Sequence, residues 1–141
     1  MEPVKKTVIK VTAFVKAPIE KVWLIWTSPE HILHWNAASE DWHTTVAENN
    51  LEIGGKYNYR MEAKDGSHGF DFSGTYTNVK LHQVIEYVLD DGREVSVIFE
   101  SADGGINITE TFEAENTFPV ELQQAGWQAI LNKFKSYTEL H

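Results

Sequence analysis

The sequence predicts an α+β domain in which one strand and two short helices precede a run of antiparallel strands, and a long helix ends the chain. Three observations predict this class. Two helical segments that open on proline lie between residues 17 and 35. Apolar side chains then alternate with polar ones from about residue 44 onward, which is typical of strands with one buried face. Helical spacing of apolar residues returns near residue 119.

Composition restricts the kind of protein. The chain has 141 residues, the usual size of one domain, and we expect a single domain over residues 1–141. Lys and Arg number 12 against 21 Asp and Glu, a net charge of −9. An acidic surface repels phosphate groups, so we expect no nucleic acid as a partner. The chain has no cysteine, which excludes disulfides and thiolate metal sites.

No targeting or membrane segment is expected. The N-terminal segment "MEPVKKTVIKV" lacks an apolar stretch of signal-peptide length. No run of the sequence approaches the roughly 18 apolar residues that span a membrane. We therefore predict a soluble, cytoplasmic protein without a membrane span, and the oligomeric state stays open.

The first third of the chain predicts a strand and two helices. Residues 7–16 are rich in β-branched side chains, which favour a strand. Pro18 is expected at the first position of the first helix. Ser28 and Pro29 repeat this start, with Ser28 as the N-cap of a second helix. Four of the five tryptophans fall between Trp23 and Trp42, too many for short helices to bury among themselves.

The middle of the chain predicts consecutive strands joined by short turns, hence a mostly antiparallel sheet. The final helix is expected from about Pro119 to Leu140, with Pro119 at its first position. At 1.5 Å per residue such a helix is about 30 Å long, nearly the length of a nine-residue strand. It is therefore expected to lie along a curved sheet. The alternating segments are residues 56–63, 70–79, 83–91, 93–101 and 106–115.

Aromatic side chains dominate the face of these strands that alternation directs inward, and Tyr87 shares that face. Two interpretations are open: ordinary core packing, or an apolar pocket with a few polar groups, the common form of a small-molecule site. Inward tyrosines favour the pocket, because each hydroxyl needs a hydrogen-bond partner. The predicted cavity residues are Trp26, Trp35, Trp42, Tyr57, Tyr59, Met61, Phe70, Phe72, Tyr76, Phe99, Glu110, Trp127 and Phe134.

Glu110 is the most unusual of these residues, since it alternates in phase with Ile108 and Phe112. A buried carboxyl group must be paired, hydrogen-bonded or protonated, and its raised pKa would suit a general acid or base. The alternative is a bulge that turns Glu110 to solvent. Gly74, on the same face as large aromatic residues, is interpreted as permitting a bend in the sheet.

The sequence gives little support to metal binding or to nucleophilic catalysis. We expect no bound metal and no cofactor, and we assign no residue a catalytic role. His31 and His34 are three apart on a helix, a spacing that can ligate a metal with Asp41 or His43 as a third ligand. Ordinary surface histidines explain the same pattern. An Asp41–His43 pair that activates water is conceivable, but no serine or cysteine in a nucleophile elbow accompanies it.

Several segments carry a family resemblance that covers nearly the whole chain. They are "APIEKVWLIWTSPEHILHW" at 17–35, "GGKYNYRM" at 54–61, "GFDFSGTYTNV" at 69–79, "VIEY" at 84–87 and "GWQAILNKF" at 126–134. With these residues the chain resembles the START-like superfamily, and within it the branch named after the activator of heat-shock protein 90 ATPase. The resemblance implies the helix-grip fold: a curved seven-stranded antiparallel sheet that grips a long C-terminal helix.

The resemblance also implies a cavity that often holds a small hydrophobic molecule, a lipid among them. Members of the superfamily include polyketide cyclases, lipid carriers, hormone receptors and co-chaperone domains, so it implies no single activity. We expect this chain to bind a small hydrophobic or aromatic ligand. The alternatives are a co-chaperone-like domain that modulates a heat-shock protein 90 type ATPase, and a cyclase or hydrolase. The namesake co-chaperone has an additional N-terminal domain for which these 141 residues leave no room.

Overall fold

A computed structural model describes residues 7–141, so residues 1–6 of the predicted domain lie outside it. Its seven strands and three helices follow the predicted order. In chain order the elements are β1 (Val8–Val15), α1 (Ile19–Thr27), α2 (Pro29–Trp35), β2 (Trp42–Asn49), β3 (Lys56–Ala63), β4 (Gly69–Lys80), β5 (Val84–Leu89), β6 (Glu94–Ala102), β7 (Gly105–Glu113) and α3 (Val120–Leu140).

The seven strands form one curled antiparallel sheet in the order β1-β7-β6-β5-β4-β3-β2. Strands β2 to β6 each pair with the next strand along the chain, and β1 pairs with β7 at the other end of the sheet. The sheet curls around α3, which confirms the predicted helix-grip fold. Strand β2, which alternation alone did not delimit, completes the seven strands that the resemblance implied.

Helices α1 and α3 begin one residue later than predicted. Pro18 and Pro119 were expected inside the first turn, but each precedes its helix as the N-cap, with an extended ψ of 155° and 146° respectively. In this position each proline carbonyl still accepts a helical hydrogen bond, at 3.1 Å from Val22 N and 3.2 Å from Gln123 N. Ser28 is the N-cap of α2 as predicted, although its side chain makes no capping bond. No helix within residues 7–141 is both long and apolar enough to cross a membrane.

Helix α3 is attached to the edge of the sheet at β1. The carbonyl groups of an edge strand that point away from the sheet need other donors. Three side chains of α3 supply them, which orients the helix along β1 and leaves its apolar face over the sheet. The bonds join Gln124 Nε2 to Lys10 O (3.3 Å), Gln128 Nε2 to Thr12 O (2.9 Å) and Lys135 Nζ to Phe14 O (2.6 Å).

An aromatic cluster joins α3 to the two short helices. The Phe134 ring is fully buried, and its centroid lies 4.8 Å from that of Trp26 and 5.0 Å from that of Trp35. The Trp35 indole N–H donates to the Ile25 carbonyl at 2.9 Å, which satisfies the polar atom that a buried tryptophan carries inward. Phe99 of β6 completes the cluster, 5.7 Å from Trp26.

Replacing Phe134 with alanine is expected to lower the free energy of unfolding by about 3–5 kcal/mol, the usual cost of removing a fully buried aromatic ring. Urea unfolding monitored by circular dichroism measures it. Leu140→Ala on the same helix is the matched control, because Leu140 is 83% exposed and should change stability by less than about 0.5 kcal/mol. Equal effects of the two substitutions would contradict this packing.

Candidate functional site

A cavity of about 260 Å³ lies between the concave face of the sheet and α3. Phe70 lines it while remaining 45% exposed, so the cavity reaches the surface near that residue. Its walls come from α1, α2, α3, the four strands β3, β4, β5 and β7, and the segments that connect these elements. The lining residues are Trp26, Trp35, Asn36, Tyr57, Tyr59, Met61, Phe70, Phe72, Tyr76, Ile85, Tyr87, Arg93, Glu110, Glu115, Gln123, Trp127, Ile130 and Leu131.

Three of the residues expected at the cavity lie outside its lining. Phe99 and Phe134 are buried in the aromatic cluster beside it, where rings fill the space completely. Trp42, on the edge strand β2, packs instead against Phe70 with ring centroids 5.9 Å apart. Periodicity identifies the face of a strand but not the position along it at which packing gives way to a void. The other expected residues all line the cavity.

Trp127 forms the roof of the cavity. Its ring stacks on Phe112 of β7, with centroids 3.8 Å apart and an interplanar angle of 12°. It meets Phe72 of β4 edge-on at 6.0 Å. One side chain of α3 thus touches both sides of the curled sheet and spans the space between them.

The Tyr57 ring lies across β4 at Gly74. A Cβ atom on Gly74 would lie 2.8 Å from Tyr57 Cε1 and 2.9 Å from the Val88 carbonyl oxygen, both too close for real atoms. The glycine therefore makes room for an aromatic ring that reaches from β3 toward the middle of the concave face. The irregular pairing of β4 lies elsewhere, between Tyr76 and Asn78, and the close contacts at Gly74 give this glycine a packing role.

The Tyr57 hydroxyl is buried without a hydrogen-bond partner among the residues that the structure describes. The Tyr87 hydroxyl comes near it, but the two do not meet hydrogen-bonding geometry, and their rings cross edge-on at 5.2 Å. Burial, with smaller contributions from Tyr76 and Glu110, raises the pKa of Tyr57 far above its ordinary value of 10.0. Tyr57 is therefore a neutral donor at every physiological pH.

Glu110 points into the cavity, and the alternative of a bulge is wrong. Strand β7 pairs with both neighbours without a register shift, and Glu110 is only 6% exposed. Its cross-strand partners are Val11 and Val97, both buried, and neither offers a polar atom. Its carboxyl group has no hydrogen-bond or ion-pair partner within residues 7–141. Burial consequently raises the pKa of Glu110 from 4.5 to about 8.

The guanidinium of Arg93 lines the cavity but is engaged elsewhere. It contacts Asp91 Oδ2 at 2.8 Å and Glu115 Oε2 at 3.7 Å, and it donates to the Glu113 carbonyl at 3.3 Å. Glu110 is not among these contacts. The cavity therefore contains a basic group that is neutralised at its edge and an acidic group that is left alone in its interior.

Four polar lining residues escaped the sequence-based prediction: Asn36, Arg93, Glu115 and Gln123. Gln123 had a usable signal, because it lies at helical spacing from Trp127 and Ile130. Its amide accepts from Glu115 N at 2.9 Å and donates to the Phe118 carbonyl at 2.7 Å, which holds the start of α3. The other three lie between elements, where no periodicity gives a side chain's direction.

The histidines considered as metal ligands serve the contact between α2 and α3. His31 Nδ1 hydrogen-bonds with the Tyr137 hydroxyl at 2.8 Å, and the His34 ring lies parallel to the Tyr137 ring at 6.0 Å. Within residues 7–141, no three His, Asp or Glu side chains are arranged to hold a metal ion. Among the polar groups that line the cavity, the Tyr57 hydroxyl and the neutral Glu110 carboxyl group can both donate a hydrogen bond.

The fold and the cavity define a START-like domain of the helix-grip class. The model of the Activator of Hsp90 ATPase homolog 1-like protein family matches residues 16–139, so the chain belongs to this family. This confirms the family resemblance seen in the sequence. A comparison with curated proteins found no match.

Solved structures agree with this assignment. An Activator of Hsp90 ATPase homolog 1-like protein from Aeromonas hydrophila is 48% identical with a TM-score of 0.90, over 95% of this chain and 93% of its own. A protein from Cytophaga hutchinsonii is 51% identical with a TM-score of 0.79, over 96% and 92%. A protein from Chromobacterium violaceum, 21% identical with a TM-score of 0.84 over 94% and 96%, shows the fold alone.

Replacing Gly74 with alanine is expected to destabilise the protein by about 1–3 kcal/mol, the usual cost of overpacking, since the new methyl group meets Tyr57 and a backbone oxygen. Gly126→Ala is the control. A Cβ on Gly126, inside α3, meets nothing within 4 Å, so this change should stabilise by about 0.5–1 kcal/mol. Chemical denaturation measures both. A neutral or stabilising Gly74→Ala would refute the placement of the Tyr57 ring.

Glu110→Gln is expected to remove a pH dependence of stability. The folded-state pKa of about 8 exceeds the unfolded value of 4.5, so the folded protein binds more protons in this window and loses stability as pH rises through it. The loss relative to the variant approaches roughly 1.4 kcal/mol per pH unit. Urea unfolding between pH 4 and 9 measures it, with exposed Glu100→Gln as the control. Parallel wild-type and Glu110→Gln profiles would show that Glu110 ionises normally.

Proposed function

We propose that this protein binds one small, mostly apolar organic molecule in the cavity beneath α3. The observation that carries the proposal is the cavity itself: about 260 Å³ walled mainly by aromatic side chains, with two unpartnered polar groups in its interior. Protein interiors are otherwise close-packed, and a void of this size removes contacts from every side chain around it. Such a void is the usual form of a small-molecule site.

The volume limits the size of the ligand. An engineered cavity of about 150 Å³ holds benzene. By the same scale, 260 Å³ accommodates a molecule of about ten non-hydrogen atoms. One or two fused rings meet this limit, whereas a two-chain lipid far exceeds it. We therefore favour a compact aromatic or alicyclic compound over a lipid.

The charges around the cavity favour an uncharged ligand. The net charge of the chain is −9, and Glu115 faces the cavity, so anions are repelled. Arg93 cannot compensate freely, because Asp91, Glu115 and a backbone carbonyl already occupy its guanidinium. Release of a neutral apolar molecule from water supplies the main driving force.

The two alternatives have narrower support. The co-chaperone role rests on the family description, which names an activator of an ATPase. An enzymatic role rests on Glu110, whose raised pKa suits a general acid, but no serine, threonine, lysine or histidine is among the described residues that line the cavity. A stimulated chaperone ATPase rate at saturating protein would favour the first alternative over a ligand carrier.

Naphthalene, with about ten non-hydrogen atoms, is expected to bind with a dissociation constant between roughly 10 μM and 1 mM, from the apolar area that such a ligand buries. Isothermal titration calorimetry measures it. Ile130→Trp should abolish binding by filling the cavity, while Ser136→Trp, exposed on the same helix, should leave it unchanged. Absence of binding to the wild-type protein, or equal binding to both variants, would count against the proposal.

A further inference from the structure

Two of the polar groups that line the cavity have the same unmet requirement. The Tyr57 hydroxyl is a donor without an acceptor, and the Glu110 carboxyl group has no partner within the described chain. A buried polar group that loses water and gains no hydrogen bond is costly to the folded state. A ligand that supplies the missing partner therefore gains affinity that a purely apolar ligand of the same shape does not.

The two groups act on the same region of the cavity. Gly74 lets the Tyr57 ring cross β4, so its hydroxyl is carried from β3 toward the centre of the concave face. Glu110 projects from β7 on the other side of that face, and it is close enough to influence both the Tyr57 and the Tyr87 hydroxyls electrostatically. Both groups line the same cavity, so a ligand that lies between β3 and β7 can contact both of them.

We propose that the natural ligand carries a carbonyl oxygen that accepts hydrogen bonds from the Tyr57 hydroxyl and the protonated Glu110 carboxyl group. This inference rests on the proposed function and names the chemical class that the same cavity selects. A carbonyl oxygen has two lone pairs, which suits two donors that converge from opposite walls. The remainder of the ligand is apolar, as the aromatic walls require.

The surrounding groups favour a neutral acceptor over an amine cation. The titratable groups that face Glu110 across the cavity are phenols, one guanidinium at the edge and one carboxyl group. An amine would need Glu110 to be ionised, whereas burial among valines favours the neutral acid at pH 7. The titratable groups that line the cavity with Glu110 are Tyr57 and Tyr59 on β3, Tyr76 on β4, Tyr87 on β5, Arg93 before β6 and Glu115 after β7.

A matched pair of probes tests this inference: 1-indanone and indane, which differ by one carbonyl oxygen. Calorimetry at pH 6.5 is expected to show 1-indanone binding about tenfold more tightly than indane, since it completes the two hydrogen bonds. Tyr57→Phe should weaken 1-indanone about tenfold and leave indane unchanged. Glu110→Gln keeps a donor in its amide and should retain 1-indanone within about threefold.

The pH dependence of binding identifies the role of Glu110. Wild-type affinity for 1-indanone should fall as pH rises through about 8, because an ionised carboxylate cannot donate to a carbonyl. The Glu110→Gln variant should show no such fall, and indane should show none with either protein. This contrast separates a hydrogen-bonding role from a merely structural one.

The outcomes of these titrations distinguish failure of the carbonyl inference from failure of the proposed ligand-binding function. Equal affinity for indane and 1-indanone overturns the carbonyl inference and leaves the proposed function intact. Tighter binding of 1-aminoindane than of 1-indanone also overturns it, in favour of an ionised Glu110. If neither 1-indanone, indane nor naphthalene binds, the proposed function fails and the carbonyl inference fails with it.

Discussion

Contact between α3 and the curled sheet is the constraint on which the rest of the structure depends. The helix is held at two points: Trp127 stacks on Phe112 of the sheet, and Phe134 packs against Trp26 of α1 and Trp35 of α2. Seven residues separate the two points, about 10 Å along a helix. Ile130 and Leu131, which lie between these two points on α3, line the cavity, and the side chains around it leave about 260 Å³ unfilled. The cavity is thus a consequence of how one straight helix closes a curved surface.

Two features place polar groups in the otherwise apolar cavity. Gly74 removes the side chain that would otherwise hold Tyr57 away from the middle of the sheet. Glu110 occupies a position on β7 whose neighbours on both adjacent strands are valines. Replacing Glu110 by an apolar residue would relieve the burial of a carboxyl group, so its presence there has a cost in stability. Hydrogen bonding of a ligand to the Glu110 carboxyl group would explain why a residue that lowers stability is present at this position.

Much of the fold followed from the sequence because its signals are periodic. The alternation through β3 to β7 predicted which residues face inward, and Tyr57, Tyr59, Met61 and Glu110 are all buried on that face. Strand β2 was harder, because its pairing with β3 shifts register between Thr44 and Val46 and its burial does not alternate cleanly. The helix starts differed by one residue, since proline is compatible with either position.

The candidate site was less predictable than the fold, for a physical reason. Periodicity in a strand or a helix gives the direction of a side chain but not the distance to the opposite wall. Phe99 and Phe134 were therefore expected to line a cavity beside which they are buried in the core. Asn36, Arg93 and Glu115 enter the lining from connecting segments, where direction follows from tertiary structure alone. The lack of a partner for Tyr57 emerges only from three-dimensional packing.

A crystal structure of the protein with 1-indanone tests this account most directly. The ring system of 1-indanone is expected between Trp127 and the sheet. Its carbonyl oxygen is expected at hydrogen-bonding distance, about 3 Å, from Tyr57 Oη and from a Glu110 carboxyl oxygen. A ligand bound on the outer surface would contradict it. So would a collapsed cavity in which the aromatic rings interlock and leave no room.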